Sequence, residues 1–328
     1  MSTLFLTDAD VRQVFAWPAA ITALREAYSG DCSDARFPPR SMARGQGSWL
    51  RCLSGVLSGK SLTGSKQIAA SMKTRKVSYL ISLFNEDTVD LEALMDAHFI
   101  TGARTAATSA LAVDFLAVPG RLITAVIGSG FEARMHVRAL HSLGRIGEIR
   151  IYSPTPSSRE KFAAEMGAET GLPIHAVPSA DAAVAGSDLV LCAARSRDES
   201  PIIRGDALGP NTVVVSVGST LPEQREIDVE TIGRARLIVA DMVDEVAEDT
   251  GDLIAAKQAG VHFHSKLHSL ADLISGAVMA SPESGGIRVY KSVGAGLQDL
   301  AVATMCLERA RAESVGTVLP VSVSPVAK

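Results

Sequence analysis

The sequence predicts an α/β protein in which a doubly wound parallel sheet accompanies a second, α+β part. Three observations carry this. The apolar run Leu122–Ile127 empties into Gly128-Ser129-Gly130 and passes at once into an amphipathic stripe of Phe131, Met135, Val137 and Leu140. Beyond Pro119-Gly120, strand and helix patterns alternate, the rhythm of a parallel sheet with helices on both faces. Ahead of that pair, strand-like stretches follow one another with only glycine turns between them, the rhythm of an antiparallel unit.

In chain order, Thr7 and Asp10 read as a capping box that opens a helix through Val11, Val14 and Phe15. Trp17-Pro18 restarts a second helix through Ile21, Leu24 and Tyr28. A Ser, Asp and Gly loop ends in Phe37-Pro38-Pro39-Arg40, and residues 49–53, 65–72 and 77–84 read as strands with Gly55, Gly59 and Gly64 in the turns. A long helix is expected over 91–118, where Pro119-Gly120 breaks it and marks a domain boundary. Six strands follow, over 122–127, 148–152, 174–177, 188–194, 212–217 and 236–240. The tail holds a strand-like IRVYKSVG from Ile287 and a helix, GLQDLAVATMCLERARA, whose apolar face needs a partner and is expected to return to the first part.

The glycine turn has the chemistry of a dinucleotide site. Gly128 allows the sharp bend, Gly130 lets a pyrophosphate approach the backbone, and Ala133 packs helix on strand. The amides of the helix start then face the anion, so Ser129, Phe131 and Glu132 join the expected contacts. At the end of the second strand of this part an acidic residue would hold the ribose 2′-hydroxyl of NAD(H). This chain offers Ser153, Thr155, Ser157, Ser158 and Arg159 instead, which favours NADP(H) over NAD(H).

The 328 residues carry a formal net charge of -4, which argues against a nucleic acid or an acidic membrane surface as partner. No apolar run of about 18 residues occurs. Cys32, Cys52, Cys192 and Cys306 lie far apart and suit a reducing compartment, so a cytoplasmic protein is expected. His262, His264 and His268 cluster in VHFHSKLH, but without a carboxylate or thiolate beside them and at a spacing unlike that of zinc ligands; no metal site is expected.

Arg104 stands in an otherwise apolar helix, TGARTAATSALAVDFL, where an unpaired guanidinium would be costly. It needs an anion, either a substrate carboxylate or a structural ion-pair partner. Lys66, in GSKQIA, is flanked by small and apolar residues; read alone it is an edge-strand lysine or an acid-base group. Thr105 and Thr108 sit beside Arg104 on its helix, with hydroxyls free to reach a cofactor or to bond back to helix carbonyls.

Taken together, Pro39-Arg40, Gly64-Ser65-Lys66, Arg104 to Leu111 (RTAATSAL), the Gly128 turn, Val217-Gly218-Ser219, Glu226-Ile227-Asp228, Gly251-Asp252-Leu253 and Lys291-Ser292-Val293-Gly294 resemble the ornithine cyclodeaminase and mu-crystallin family over nearly the whole chain. The resemblance implies a Rossmann domain (119–287) inserted into a substrate-binding and dimerisation domain (1–118 plus 288–328), and a homodimer with the antiparallel sheet as its seam. It assigns Arg104 and Arg40 to the substrate carboxylate, with Arg44 close by as the alternative to Arg40. It makes Lys66 the active-site lysine, whose ammonium, held near arginines, would have its pKa pushed toward neutrality. Thr105, Thr108, Val217, Gly218, Ser292 and Val293 fall on the cofactor side, while Lys291 and Asp299 are placed by motif without a role.

One family residue is missing. Cyclodeaminases of the family carry an Asp in a Gly-x-Asp-x-Pro setting after the fifth strand; here Gly218-Ser219-Thr220-Leu221-Pro222 puts Thr220 there, and a threonine is no base at neutral pH. The expected function is therefore NAD(P)H-dependent reduction of a small cyclic imino acid, of the pyrroline-2-carboxylate or piperideine-2-carboxylate type. The rivals are an ornithine cyclodeaminase, an amino-acid or opine-type dehydrogenase, and a mu-crystallin-like binder without turnover.

Overall fold

The computed structural model describes residues 3–194, 200–280 and 285–327. It divides into two compact units, Met1–Thr108 with Ala295–Lys328, and Ser109–Gly294.

The first unit contains β1 (Leu4–Leu6), the helices Asp8–Val14 and Trp17–Tyr28, and then β2 (Ser41–Gly45), β3 (Ser48–Val56), β4 (Leu62–Ser71), β5 (Lys76–Asn85) and β6 (Leu91–Asp96). The capping box forms: the Asp10 amide donates to Thr7 Oγ1 (3.2 Å) and the Thr7 amide to Asp10 Oδ2 (2.9 Å). Strands lie in the order Thr317–Val318, β1, β6, β5, β4, β3, β2, antiparallel throughout except for the parallel pair β1 and β6. Along β4 the period of two is plain, with Lys66, Ile68 and Ala70 buried and Gln67 and Ala69 exposed. The C-terminal helix Gly296–Glu313 packs on the buried face. Gly64 makes this possible, because a Cβ there would stand 3.2 Å from Leu300 Cδ2 and far inside the Ser82 carbonyl.

Two expectations fail in this unit. Gly55 and Gly64 lie paired inside β3 and β4, where Phe37 and Leu300 pack against the bare Cα, and only Gly59 sits in a turn. LEALMD is strand β6, not the start of the long helix, which is instead His98–Leu116. A short apolar run buried on both faces carries no period to separate strand from helix, and here pairing with β1 and β5 decides. Asp96 Oδ1 then accepts from the His98 amide (3.1 Å) at the helix start.

The second unit contains β7 (Leu122–Ile127), β8 (Ile146–Tyr152), β9 (Ile174–Ala176), β10 (Leu189–Cys192), β11 (Val213–Ser216), β12 (Ala235–Ala240), β13 (Leu267–Ser269) and β14 (Ile287–Lys291). Their order is β13-β12-β14-β11-β10-β7-β8-β9, all parallel, with helices such as Phe131–Ser142 and Pro156–Thr170 between strands. The doubly wound sheet is as expected, its six expected strands being β7 to β12, but two further strands, β13 and β14, join it. β14 lies between β11 and β12, every residue of it buried, so Ile287–Lys291 belongs to this unit and not to the part formed by 288–328. The other boundary also moves, from 118/119 to Thr108/Ser109, because the second half of the helix His98–Leu116 counts with this unit. Among the described residues no helix is long and apolar enough to cross a membrane.

Candidate active site

In the first unit three sequence-distant groups meet. Lys66 points to the buried face of β4, cross-strand from Leu53 and Ile81, and is 1% exposed. Its Nζ donates to Asp299 Oδ1 (2.7 Å), from the first turn of the C-terminal helix. Arg104 Nε lies 2.9 Å from the same oxygen, and its Nη1 donates to Gln298 Oε1, whose Nε2 donates to Tyr28 Oη (2.8 Å). Asp299 is fully buried. The anion that Arg104 required is thus supplied from within the chain, by a residue to which sequence reasoning gave no role; its only signal was its place in the tail helix.

Two cations share this one carboxylate, so the cluster keeps a positive excess suited to an incoming anion. Burial lowers the Lys66 pKa from its usual 10.5 to about 8; Arg104 and Arg51 push the same way, and Asp299 opposes them. The sequence expected like charge to lead this shift, whereas burial leads it. Arg51 went unnoticed in the sequence, although its place two residues before Leu53 puts it on the Lys66 face of the sheet. Arg40 is half-buried just ahead of β2, and Arg44, within β2, is exposed.

The second unit carries the glycine turn. Gly128 has φ +110°, and a Cβ on it would stand 2.7 Å from the Ala193 carbonyl oxygen, so only glycine fits. Gly130 is the N-cap of Phe131–Ser142, with no side-chain cap bond and open space where its Cβ would be. Ala133 is fully buried and Phe131 is exposed. A bare helix start behind a glycine cradle fits a dinucleotide pyrophosphate. Beside it, Ser129 Oγ donates to the largely buried Ser153 Oγ (3.2 Å), and Arg159 Nη1 donates to the Ser153 carbonyl (3.0 Å) with its guanidinium 6.0 Å from the Tyr152 ring centre. Thr155 is the exposed N-cap of the next helix.

The loops after β11 and β14 are fixed by carboxylates. The Gly218 amide donates to Glu226 Oε2 (2.8 Å), directly after the largely buried Val217. Ser292 Oγ (2.6 Å) and the amides of Val293 (3.0 Å) and Gly294 (2.8 Å) donate to Asp241, a clamp the sequence did not reveal. Thr220 is half-buried and its amide donates to Gln224 Oε1 (3.1 Å). Thr105 and Thr108 take the second of their two alternatives, donating to the carbonyls of Thr101 and Arg104 (2.7 Å each), which leaves only oxygen lone pairs for a partner. His264 stacks on Phe263 (4.5 Å), and among the described residues no group of three or more His, Cys, Asp or Glu is placed to hold a metal.

The model of the ornithine cyclodeaminase/mu-crystallin family matches residues 6–314. The chain belongs to this family. An alanine dehydrogenase of Archaeoglobus fulgidus is 26% identical over 324 residues, covering 97% of this chain and 98% of that protein. A ketimine reductase mu-crystallin of Rattus norvegicus is 29% identical over 225 residues, covering 69% and 67%. Among solved structures, the Thermococcus litoralis Delta(1)-pyrroline-2-carboxylate reductase in complex with NADH and L-proline superposes with a TM-score of 0.88 at 26% identity, over 97% of this chain and 100% of that one. The chain is an NAD(P)-dependent oxidoreductase of this family.

Proposed function

We propose that the protein reduces the C=N bond of a small cyclic imino acid with NAD(P)H, Lys66 supplying the proton and Arg104 drawing in the carboxylate. The observation that carries this is the buried Lys66–Asp299–Arg104 cluster, with its excess positive charge and a lysine pKa of about 8. The bound dinucleotide supplies hydride. The reduction then needs one further proton at nitrogen, and a lysine poised near neutrality is matched to that donation. Lys66 leaves the step neutral and regains its proton from water. Asp299 keeps the ammonium in place, and burial keeps solvent from competing for it. Thr220 offers no base for the amine and water steps of a deamination.

Ser153, Thr155 and Arg159, with no carboxylate among them, support NADP(H) over NAD(H) as the preferred cofactor. The outward face of the first sheet, where Leu50 and Ala69 are exposed beside Leu80, supports a homodimer seam there.

The test is a panel of cyclic imino acids, 2-oxo acids with ammonia, and L-ornithine, each with both cofactors, followed by nicotinamide absorbance and ammonia release. Fastest turnover with a cyclic imine is expected. Faster amination of a 2-oxo acid would make it a dehydrogenase, ammonia from ornithine without net cofactor use a cyclodeaminase, and binding without any rate a crystallin-like binder.

A further inference from the structure

Three of the sequence blocks that had no chemical role, Glu226-Ile227-Asp228, Gly251-Asp252-Leu253 and the lysine of Lys291-Ser292-Val293-Gly294, converge on one buried network in the second unit. Lys291 Nζ, at the end of β14, has four acceptors around its three N–H groups: Ser216 Oγ (2.8 Å), Ser219 O (2.7 Å), Ser219 Oγ (2.6 Å) and Asp252 Oδ2 (2.9 Å). Asp252 Oδ1 accepts from the amides of Glu226 (2.9 Å) and Ile227 (3.2 Å), and Oδ2 accepts from the Ser219 hydroxyl. Glu226 in turn receives the Ala194 amide (3.1 Å) on Oε1, and Ser216 Oγ (2.8 Å) and the Gly218 amide (2.8 Å) on Oε2. Lys291, Asp252 and Glu226 are all fully buried.

The place of this network gives it a purpose. Glu226 joins the chain leaving β10, at Ala194, to the chain leaving β11, at Gly218, and the approach is so close that a Cβ on Gly218 would fall 2.2 Å from Glu226 Oε1. The carbonyl next to Ala194, that of Ala193, is the wall against which Gly128 rests. In an open α/β sheet the dinucleotide lies at these carboxyl ends of the strands. We propose that Glu226 is a positioning residue for the dinucleotide, locking the segments after β10 and β11 against the Gly128 turn, with Lys291 and Asp252 holding it in place.

Such a carboxylate works through its charge. Ionised, it accepts all three bonds; protonated, one oxygen presents a hydroxyl to a donor and the Gly218 amide loses its acceptor. The charged and titratable groups facing it are Lys291 from β14, Asp252 from the helix Gly251–Gln258 and the Cys192 thiol from β10, the last held well above its usual pKa by burial and so neutral. Burial raises Glu226 from its usual 4.5 to about 7, with Lys291 pulling it back and Asp252 adding to the rise. Dinucleotide affinity therefore weakens as the pH falls through neutrality.

The proposal rests on dinucleotide binding by this unit, and its test separates the two. NADH and NADPH dissociation constants are measured by nicotinamide fluorescence from about pH 6 to about pH 8 for the wild type and Glu226→Gln, with amide hydrogen exchange at Ala194 and Gly218 in the same proteins. The wild type is expected to bind about tenfold more weakly at the acid end, and Glu226→Gln to bind weakly and without that pH dependence while exchanging both amides faster. Should Glu226→Gln not fold, the wild-type pH series and its exchange rates at the two amides decide alone. Unchanged exchange, a flat wild-type profile, or unchanged affinity in the variant would each overturn the positioning role while leaving binding intact. A wild type that binds neither dinucleotide at any pH would overturn the binding itself and the role with it.

Discussion

Asp299 Oδ1 is shared: Lys66 Nζ stands 2.7 Å from it and Arg104 Nε 2.9 Å, so one buried oxygen positions both cations and holds up the pKa of the lysine. Asp299→Asn keeps the shape and removes the charge. Because Asp299 is what holds the Lys66 pKa up, the variant lysine loses its proton at lower pH. The alkaline limb of kcat, expected near pH 8 in the wild type, should move toward acid, and kcat at neutrality should drop about 10- to 100-fold. A limb that stays in place would remove Lys66 as the proton donor.

Arg104→Lys preserves the charge and loses the planar fork that bonds Asp299 and Gln298 together. The lysine cannot hold both partners and also address a carboxylate. KM for the imino acid should rise about 10- to 100-fold with a smaller change in kcat, read from initial rates.

His136 is fully buried on the helix after the glycine turn. Its Nδ1 lies 2.7 Å from the Glu132 carbonyl and so carries the proton, and Nε2 accepts from Ser109 Oγ (3.0 Å). Burial depresses its pKa from 6.5 to about 4. A depressed pKa means that this stability is present above 6.5 and is lost as the pH falls through 4. Urea denaturation of His136→Gln should show a flatter acid limb in that window than the wild type.

Gly128→Ala forces a side chain into φ +110° and against the Ala193 carbonyl. We expect a loss of about 1–3 kcal/mol in stability. Dinucleotide binding should fail together with it in a fluorescence titration.

Ser153→Asp places a carboxylate beside Ser129 and Arg159, where a ribose 2′-phosphate is expected. The ratio of NADPH to NADH affinity should fall about 10- to 100-fold. An unchanged ratio would mean that the ribose pocket lies elsewhere.

What the sequence made legible was mainly local. The capping box at Thr7, the turn at Gly128 and the strands β3, β4 and β5 each write their geometry into a few adjacent residues. Lys66 and Arg104 were visible as cations in apolar company, since burial of charge always calls for a partner. Which partner could not be read, because Asp299 is far from both in sequence and only strand register and helix packing bring it near. The same holds for Asp241 and Glu226, whose bonds go mostly to backbone amides that no motif advertises. Strand β14 was missed as a member of the parallel sheet for a related reason: IRVY is a strand-like stretch that suits either unit, and only pairing on both edges decides it.

That interior seat of β14 has a consequence for how the molecule comes into being. The strand is made after both of its neighbours, β11 and β12, yet it fills the gap between them, so a nascent chain must wait with two open edges exposed. The helix bringing Asp299 follows directly behind it. Closure of the parallel sheet and arrival of the buried counter-ion are therefore near-simultaneous, and a chain halted before them would expose two strand edges and leave Lys66 and Arg104 without Asp299.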